Sequence, residues 1–285
     1  METDLESPIV EDNKFNLPTK KRRTLLIIIS IILILLIIII ILFFVWRKDS
    51  DKSEQSPFDK IVKENSEIHL IPKSGKYEYI FIFMHGLFGK PEEYLDTFNK
   101  KDGPIPDNFK IILPCAPEVY VTRLESNTTS WFDLLGINND VIKEKDMVFE
   151  DMEKSGDRIK QLIKDEVKNV NNDYSKIFVG GFSQGACMSF HIGLSFEYTL
   201  GGIVTFCGIP VSKTQIKENR GDLNILSIAG GKDIYFPLDY LKNQTFNILH
   251  NFTKLNFMVF ENQEHAVTEV GYIGETNRNN KMLKK

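Results

Sequence analysis

Between Thr24 and Trp46 the chain carries no charged side chain, and this stretch divides everything that can be inferred about its fold. As a helix rising about 1.5 Å per residue it would be roughly 34 Å long, enough to cross a hydrocarbon core of roughly 30 Å. A buried core helix or the apolar part of a cleaved signal peptide is typically shorter. The run also ends in Phe43-Phe44-Val45-Trp46, where signal cleavage would need small residues. We therefore expect one uncleaved transmembrane helix at residues 24–46. Cations are denser before it (Lys14, Lys20, Lys21, Arg22, Arg23) than after it (Arg47, Lys48, Lys52). That asymmetry keeps the N-terminus cytoplasmic and sends the rest to the lumen or the outside, a type II single-pass arrangement. The sequons at Asn127, Asn243 and Asn251 agree with that side and suggest a glycoprotein.

The span leaves a polar cytoplasmic tail at 1–23 and a solvated linker at 47–60, rich in Asp, Ser, Lys, Glu and Gln. Residues 61–285 are enough for one domain. Within them, short apolar runs alternate with longer segments of helical period, the pattern of a mostly parallel sheet with helices on both faces. Expected strands are Tyr79 to Met84, Lys110 to Leu113, Lys176 to Gly180, Gly202 to Cys207, Leu223 to Ala229 and Leu255 to Phe260. Expected helices are Pro91 to Asn99, Phe149 to Val170, Gln184 to Phe196 and Leu238 to His250. The net charge of −4 gives no reason to expect a nucleic-acid partner. Three sparse cysteines (Cys115, Cys187, Cys207) read as small buried residues, with one disulfide as the alternative in an oxidising lumen. Nothing in the chain fixes an oligomeric state.

The chemistry is concentrated in Gly181-Phe182-Ser183-Gln184-Gly185. This G-x-S-x-G follows an expected strand and opens an expected helix, the setting in which a serine is forced into an exposed, strained turn. A serine hydroxyl attacks only when a base takes its proton, and that base is usually a histidine held by a carboxylate. Of the five histidines, His69 precedes the first expected core strand, His191 lies within a helix, His250 ends one, and His85 belongs to another segment. His265, in the loop after the last strand, is left as the base. In the chain order Ser, acid, His, the acid belongs in the loop after the preceding strand, where Asp233 follows Gly230-Gly231-Lys232; Asp239 is the fallback. The segment Met84-His85-Gly86-Leu87-Phe88-Gly89 suits an oxyanion loop, so the backbone N–H groups of Leu87 and Gln184 are assigned to stabilise the developing oxyanion.

These segments in this order resemble the acyl-protein thioesterase and carboxylesterase family of small α/β-hydrolases, from about Tyr79 to His265. Pro114-Cys115-Ala116-Pro117 is similar to its P-x-A-P, and Ser130-Trp131-Phe132-Asp133 to its S-W-F-D. The resemblance implies an α/β-hydrolase fold, which in this chain would follow the single transmembrane helix expected at residues 24–46. It also implies an acyl-enzyme route, without metal or cofactor, that cleaves fatty-acyl thioesters or carboxylic esters, with Trp131 and Phe88 bordering the acyl site. An acylated protein or a lipid ester would be the substrate. Three departures stand out. Gly208 precedes Ile209-Pro210 where eukaryotic members often carry tryptophan, Glu264 precedes His265 where glycine is usual, and the better-known members have no membrane span. A lysophospholipase-like esterase, or a tethered binding protein that keeps the fold without turnover, are the alternatives.

Overall fold

The computed structural model describes residues 56–100, 103–136 and 140–267. The membrane span expected at 24–46 lies outside the described residues. Among those described, no helix is long and apolar enough to cross a membrane.

The elements run β1 (Phe58–Val62), β2 (Ile68–Pro72), β3 (Tyr79–Met84), α1 (Leu95–Phe98), β4 (Phe109–Leu113), β5 (Glu118–Val121), β6 (Ser126–Thr129), α2 (Phe149–Glu166), β7 (Ile177–Phe182), α3 (Gln184–Ser195), β8 (Gly202–Phe206), β9 (Ile225–Gly230), α4 (Leu238–Ile248) and β10 (Leu255–Phe260). Eight strands form one sheet in the order β1-β2-β4-β3-β7-β8-β9-β10, and β5 and β6 form a separate hairpin. From β4 to β10 every neighbouring pair is parallel. Only β1 with β2 and β2 with β4 run antiparallel.

Strand β3 shows how the sheet separates two cores. Side chains alternate across a strand, so Ile80, Ile82 and Met84 pack with Met152, Ile159 and Ile163 of α2 and Met188 and Ile192 of α3. Phe81 and Phe83 point the other way, among Tyr94, Phe98, Phe206, Leu226 and Ile228. Each fully buried Ile, Leu or Phe in these layers contributes about 1.5–3 kcal/mol relative to an exposed one.

The six expected core strands and four expected helices are all present, with boundaries shifted by a few residues. The strands β1 and β2 and the hairpin were not anticipated. Strand β1 reads Phe-Asp-Lys-Ile-Val and buries only Phe58, as an edge strand does, so its charges resemble a linker. It begins three residues before the domain start expected at Ile61. Strand β2 carries a buried histidine and ends in Pro72, which hides its apolar content. Because the central strands are parallel, their C-terminal ends share one edge of the sheet. The loops that leave β3, β7, β8, β9 and β10 gather there, as substrate-binding loops do in open α/β sheets.

Candidate active site

Strand β7 passes into α3 through Ser183, whose backbone sits at φ 55° and ψ −117°. A side-chain-bearing residue rarely adopts a positive φ, and such strain persists only where the surroundings enforce it. Here they do. A β-carbon on Gly181 would lie 2.4 Å from the carbonyl of Gly185, and one on Gly185 would lie 2.0 Å from the carbonyl oxygen of Met84. Only glycine lets strand, turn and helix approach this closely. The Ser183 N–H donates to the carbonyl of Phe206 at 2.9 Å, which ties the turn to β8.

The loops after β9 and β10 are also locked together by backbone contacts. A β-carbon on Gly230 would meet the carbonyl oxygen of Glu264 at 2.6 Å, and one on Gly231 that of Glu261 at 2.5 Å. The Lys232 N–H donates to the carbonyl of Gln263 at 2.8 Å. This contact brings Asp233 and His265 together from positions 32 residues apart. Oδ2 of Asp233 lies 2.8 Å from Nδ1 of His265, and Nε2 of His265 lies 2.9 Å from Oγ of Ser183. The other carboxylate oxygen, Oδ1, accepts the N–H groups of Tyr235 and Phe236, each at 2.9 Å. The Asp233 side chain is fully buried, so one oxygen orients its own loop and the other orients the imidazole. The fallback acid, Asp239, is exposed on α4.

The remaining histidines have other tasks. His69 pairs with Glu67 at 2.6 Å, His191 is buried in α3 against Thr214, and His250 is exposed and contacts the carbonyl of Asn247. His85 stiffens the loop that leaves β3. Its Nδ1 contacts the Gly86 carbonyl at 2.7 Å, its Nε2 accepts from the Ala116 N–H at 3.0 Å, and its own carbonyl accepts from Nε1 of Trp131 at 2.8 Å. Burial pushes its imidazole down to about 4, so at neutral pH the ring is uncharged and can be donor at one nitrogen and acceptor at the other. Within the loop, Phe88 donates to Thr129 and Gly89 to Gly86. Among the described residues, the backbone N–H groups of Leu87 and Gln184 donate to no protein acceptor.

Gln184 contributes more than the backbone N–H assigned to it from sequence. Its side-chain oxygen accepts from the Trp131 N–H and the Ser130 hydroxyl, both at 3.1 Å, and its nitrogen donates to the Phe132 carbonyl at 2.8 Å. The S-W-F-D segment is thereby fastened to the nucleophile turn. Trp131 is 1% exposed, packs on His85 and lies under Arg158, so it braces the loop that leaves β3. Phe88, in the same loop, is 68% exposed.

Gly208 packs against the turn at Ser183. A β-carbon there would sit 2.4 Å from that of Ala186 and 2.8 Å from the Ser183 carbonyl oxygen. All three cysteines are free; Cys187 and Cys207 are buried and Cys115 is half-buried. Among the described residues, the group whose atoms could gather around a metal ion is Cys207, Asp233 and His265, with ligand atoms within 4.8 Å of one another. Two of them already hold each other by a hydrogen bond, and burial pushes the Cys207 thiol up to about 12.

Residues 65–272 match the Phospholipase/Carboxylesterase family. An acyl-protein thioesterase 1 from Eremothecium gossypii is 24% identical over 210 residues, covering 70% of this chain and 86% of that protein. One from Candida albicans is 28% identical over 200 residues, covering 66% and 85%. The crystal structure of Zea mays acyl-protein thioesterase 2 superposes with a TM-score of 0.61 at 21% identity, covering 74% of this chain and 98% of that one, and shows the shared α/β-hydrolase fold. With its matched segment enclosing the nucleophile turn and both partner loops, this chain belongs to the Phospholipase/Carboxylesterase family and is a hydrolase of carboxylic esters or thioesters.

Proposed function

We propose that the protein cleaves fatty-acyl thioesters or esters, carried by an acylated protein or a lipid, through an acyl-enzyme on Ser183. The observation that carries this reading is the unbroken chain Ser183 Oγ, His265 and Asp233, with contacts of 2.9 and 2.8 Å. As Oγ attacks the acyl carbon, His265 takes its proton at Nε2, while the Nδ1–H bond to Asp233 fixes the tautomer and stabilises the imidazolium. The carbonyl oxygen gains the negative charge and is received by the N–H groups of Leu87 and Gln184. Collapse of this intermediate breaks the bond to the thiol or alcohol, which leaves with the proton from His265. Water then repeats the sequence on the acyl-enzyme, releasing the acid and restoring the serine.

The uncharged stretch 24–46 supports a membrane anchor, and the flanking cations support a lumenal or extracellular domain. An anchored hydrolase meets its acyl substrates at or near a bilayer.

The test is covalent labelling. A fluorophosphonate should modify the wild type at Ser183 and leave Ser183→Ala unmodified. Absence of labelling in folded wild-type protein would favour a tethered binding protein without turnover.

A further inference from the structure

The His265 imidazole is surrounded by aromatic rings that no step of the triad chemistry requires. Phe182, the variable second residue of the G-x-S-x-G turn, has its ring centroid 4.8 Å from that of the imidazole. Tyr235 lies 4.9 Å away with its ring nearly perpendicular, at 68°, and Phe236 lies 5.9 Å away. All three fall within about 6 Å, the range over which a cation is attracted to an aromatic ring. The Phe182 ring also lies against Gly86, where a β-carbon would come within 3.0 Å of its Cδ1. One ring therefore touches both the oxyanion loop and the base.

We propose that Phe182 and Tyr235 are positioning residues for His265, packing against its imidazole and stabilising the protonated form that it adopts during acyl transfer. The electrostatics favour this. The base is neutral before attack and cationic at the transition state, so an interaction with the cation alone lowers the barrier more than it stabilises the resting enzyme. The titratable groups facing the ring are the Asp233 carboxylate at Nδ1 and the Cys207 thiol, which burial keeps protonated. The Tyr235 phenol belongs to the proposal itself, and Glu264 and Lys232 on the flanking loops are exposed. Asp233 supplies the main stabilisation and the rings add to it.

The proposal rests on the serine-hydrolase reading but is tested without turnover. The His265 ring would be followed by NMR in the full-length, ¹³C-histidine-labelled protein as pH is varied, with His265→Asn to assign its signal. In Phe182→Leu and Tyr235→Leu the protonated ring loses its aromatic neighbour, so the titration midpoint should fall by about half a pH unit to one unit. Tyr235→Phe keeps the ring and should match the wild type. The acid limb of kcat/KM should move to lower pH by the same amount in both leucine variants, together with a several-fold loss in kcat. A merely structural role would lower the rate and leave both the midpoint and the limb in place, and that result would overturn the proposal. Should Phe182→Leu fail to fold, the half-exposed Tyr235 carries the test alone. Loss of fluorophosphonate labelling in the wild type, with the midpoint shift still present, would instead remove the enzymatic reading and leave the ring interaction standing.

Discussion

The carbonyl oxygen of Met84 occupies the place where Gly185 would carry a side chain: a β-carbon would come within 2.0 Å of it. Strand β3 and helix α3 thus meet through backbone, and the oxyanion loop that leaves Met84 is registered against the helix that begins beside Ser183. Gly185→Ala should force the two apart. We expect a loss of about 3 kcal/mol or more in stability, the upper range for overpacking, and loss of labelling at Ser183 even where folded protein is recovered. Thermal unfolding and labelling on the same sample measure the two effects.

Asp233→Asn should separate folding from catalysis. The amide oxygen can continue to accept from Tyr235 and Phe236, so the loop should stay in place and the melting temperature should change little. The amide nitrogen would face Nδ1 of His265 as a donor, so the ring would turn its N–H toward Ser183 and lose its basic site there. A fall of about 10⁴ in kcat is expected. A loss under tenfold would mean that another group orients the ring.

Stability should decline in mild acid for a reason unrelated to the triad. Burial pushes the imidazoles of His85 and His191 down to about 4, whereas in the unfolded chain each titrates near 6.5. Between those values the unfolded state binds more protons, so unfolding becomes easier as pH falls from about 6.5 toward 4. Their full contribution is present above that window. Unfolding free energy measured across it should slope downward with acidity, and His191→Gln should flatten the slope. An unchanged slope would remove His191 from the account.

The proposed anchor makes a topological prediction. Protease added outside sealed microsomes should leave the hydrolase domain intact and trim only the N-terminal tail. Asn127, Asn243 and Asn251 are all exposed, so glycans attached there in the lumen would be removable by an endoglycosidase with a shift in mobility. Degradation of the domain without detergent would reverse the orientation.

Much of this site can be read from the chain because its parts are local. Gly181 to Gly185 specify the turn by themselves, and Gly230-Gly231 followed by Asp233 mark a tight exit from a buried strand. His265 was reached by eliminating four other histidines, and the structure brings its ring to the Ser183 hydroxyl. Contacts between distant segments leave no such mark. Nothing in Ser130-Trp131-Phe132-Asp133 reveals that a glutamine 53 residues beyond Trp131 fastens the segment, or that the tryptophan faces inward. Phe182 occupies a position where the motif admits any residue, so its contact with His265 has no sequence signal. Strand β1 leaves little mark in the sequence because an edge strand needs only one buried side chain, and its Asp59 and Lys60 resemble solvated linker.

The two oxygens of the Asp233 carboxylate link local order to reactivity. Because one of them caps the turn through Tyr235 and Phe236 while the other steers the imidazole, fraying of that short turn releases the base at the same moment. Warming should therefore silence the enzyme before the sheet melts, with the gap between the two temperatures reporting how firmly residues 233–236 are held.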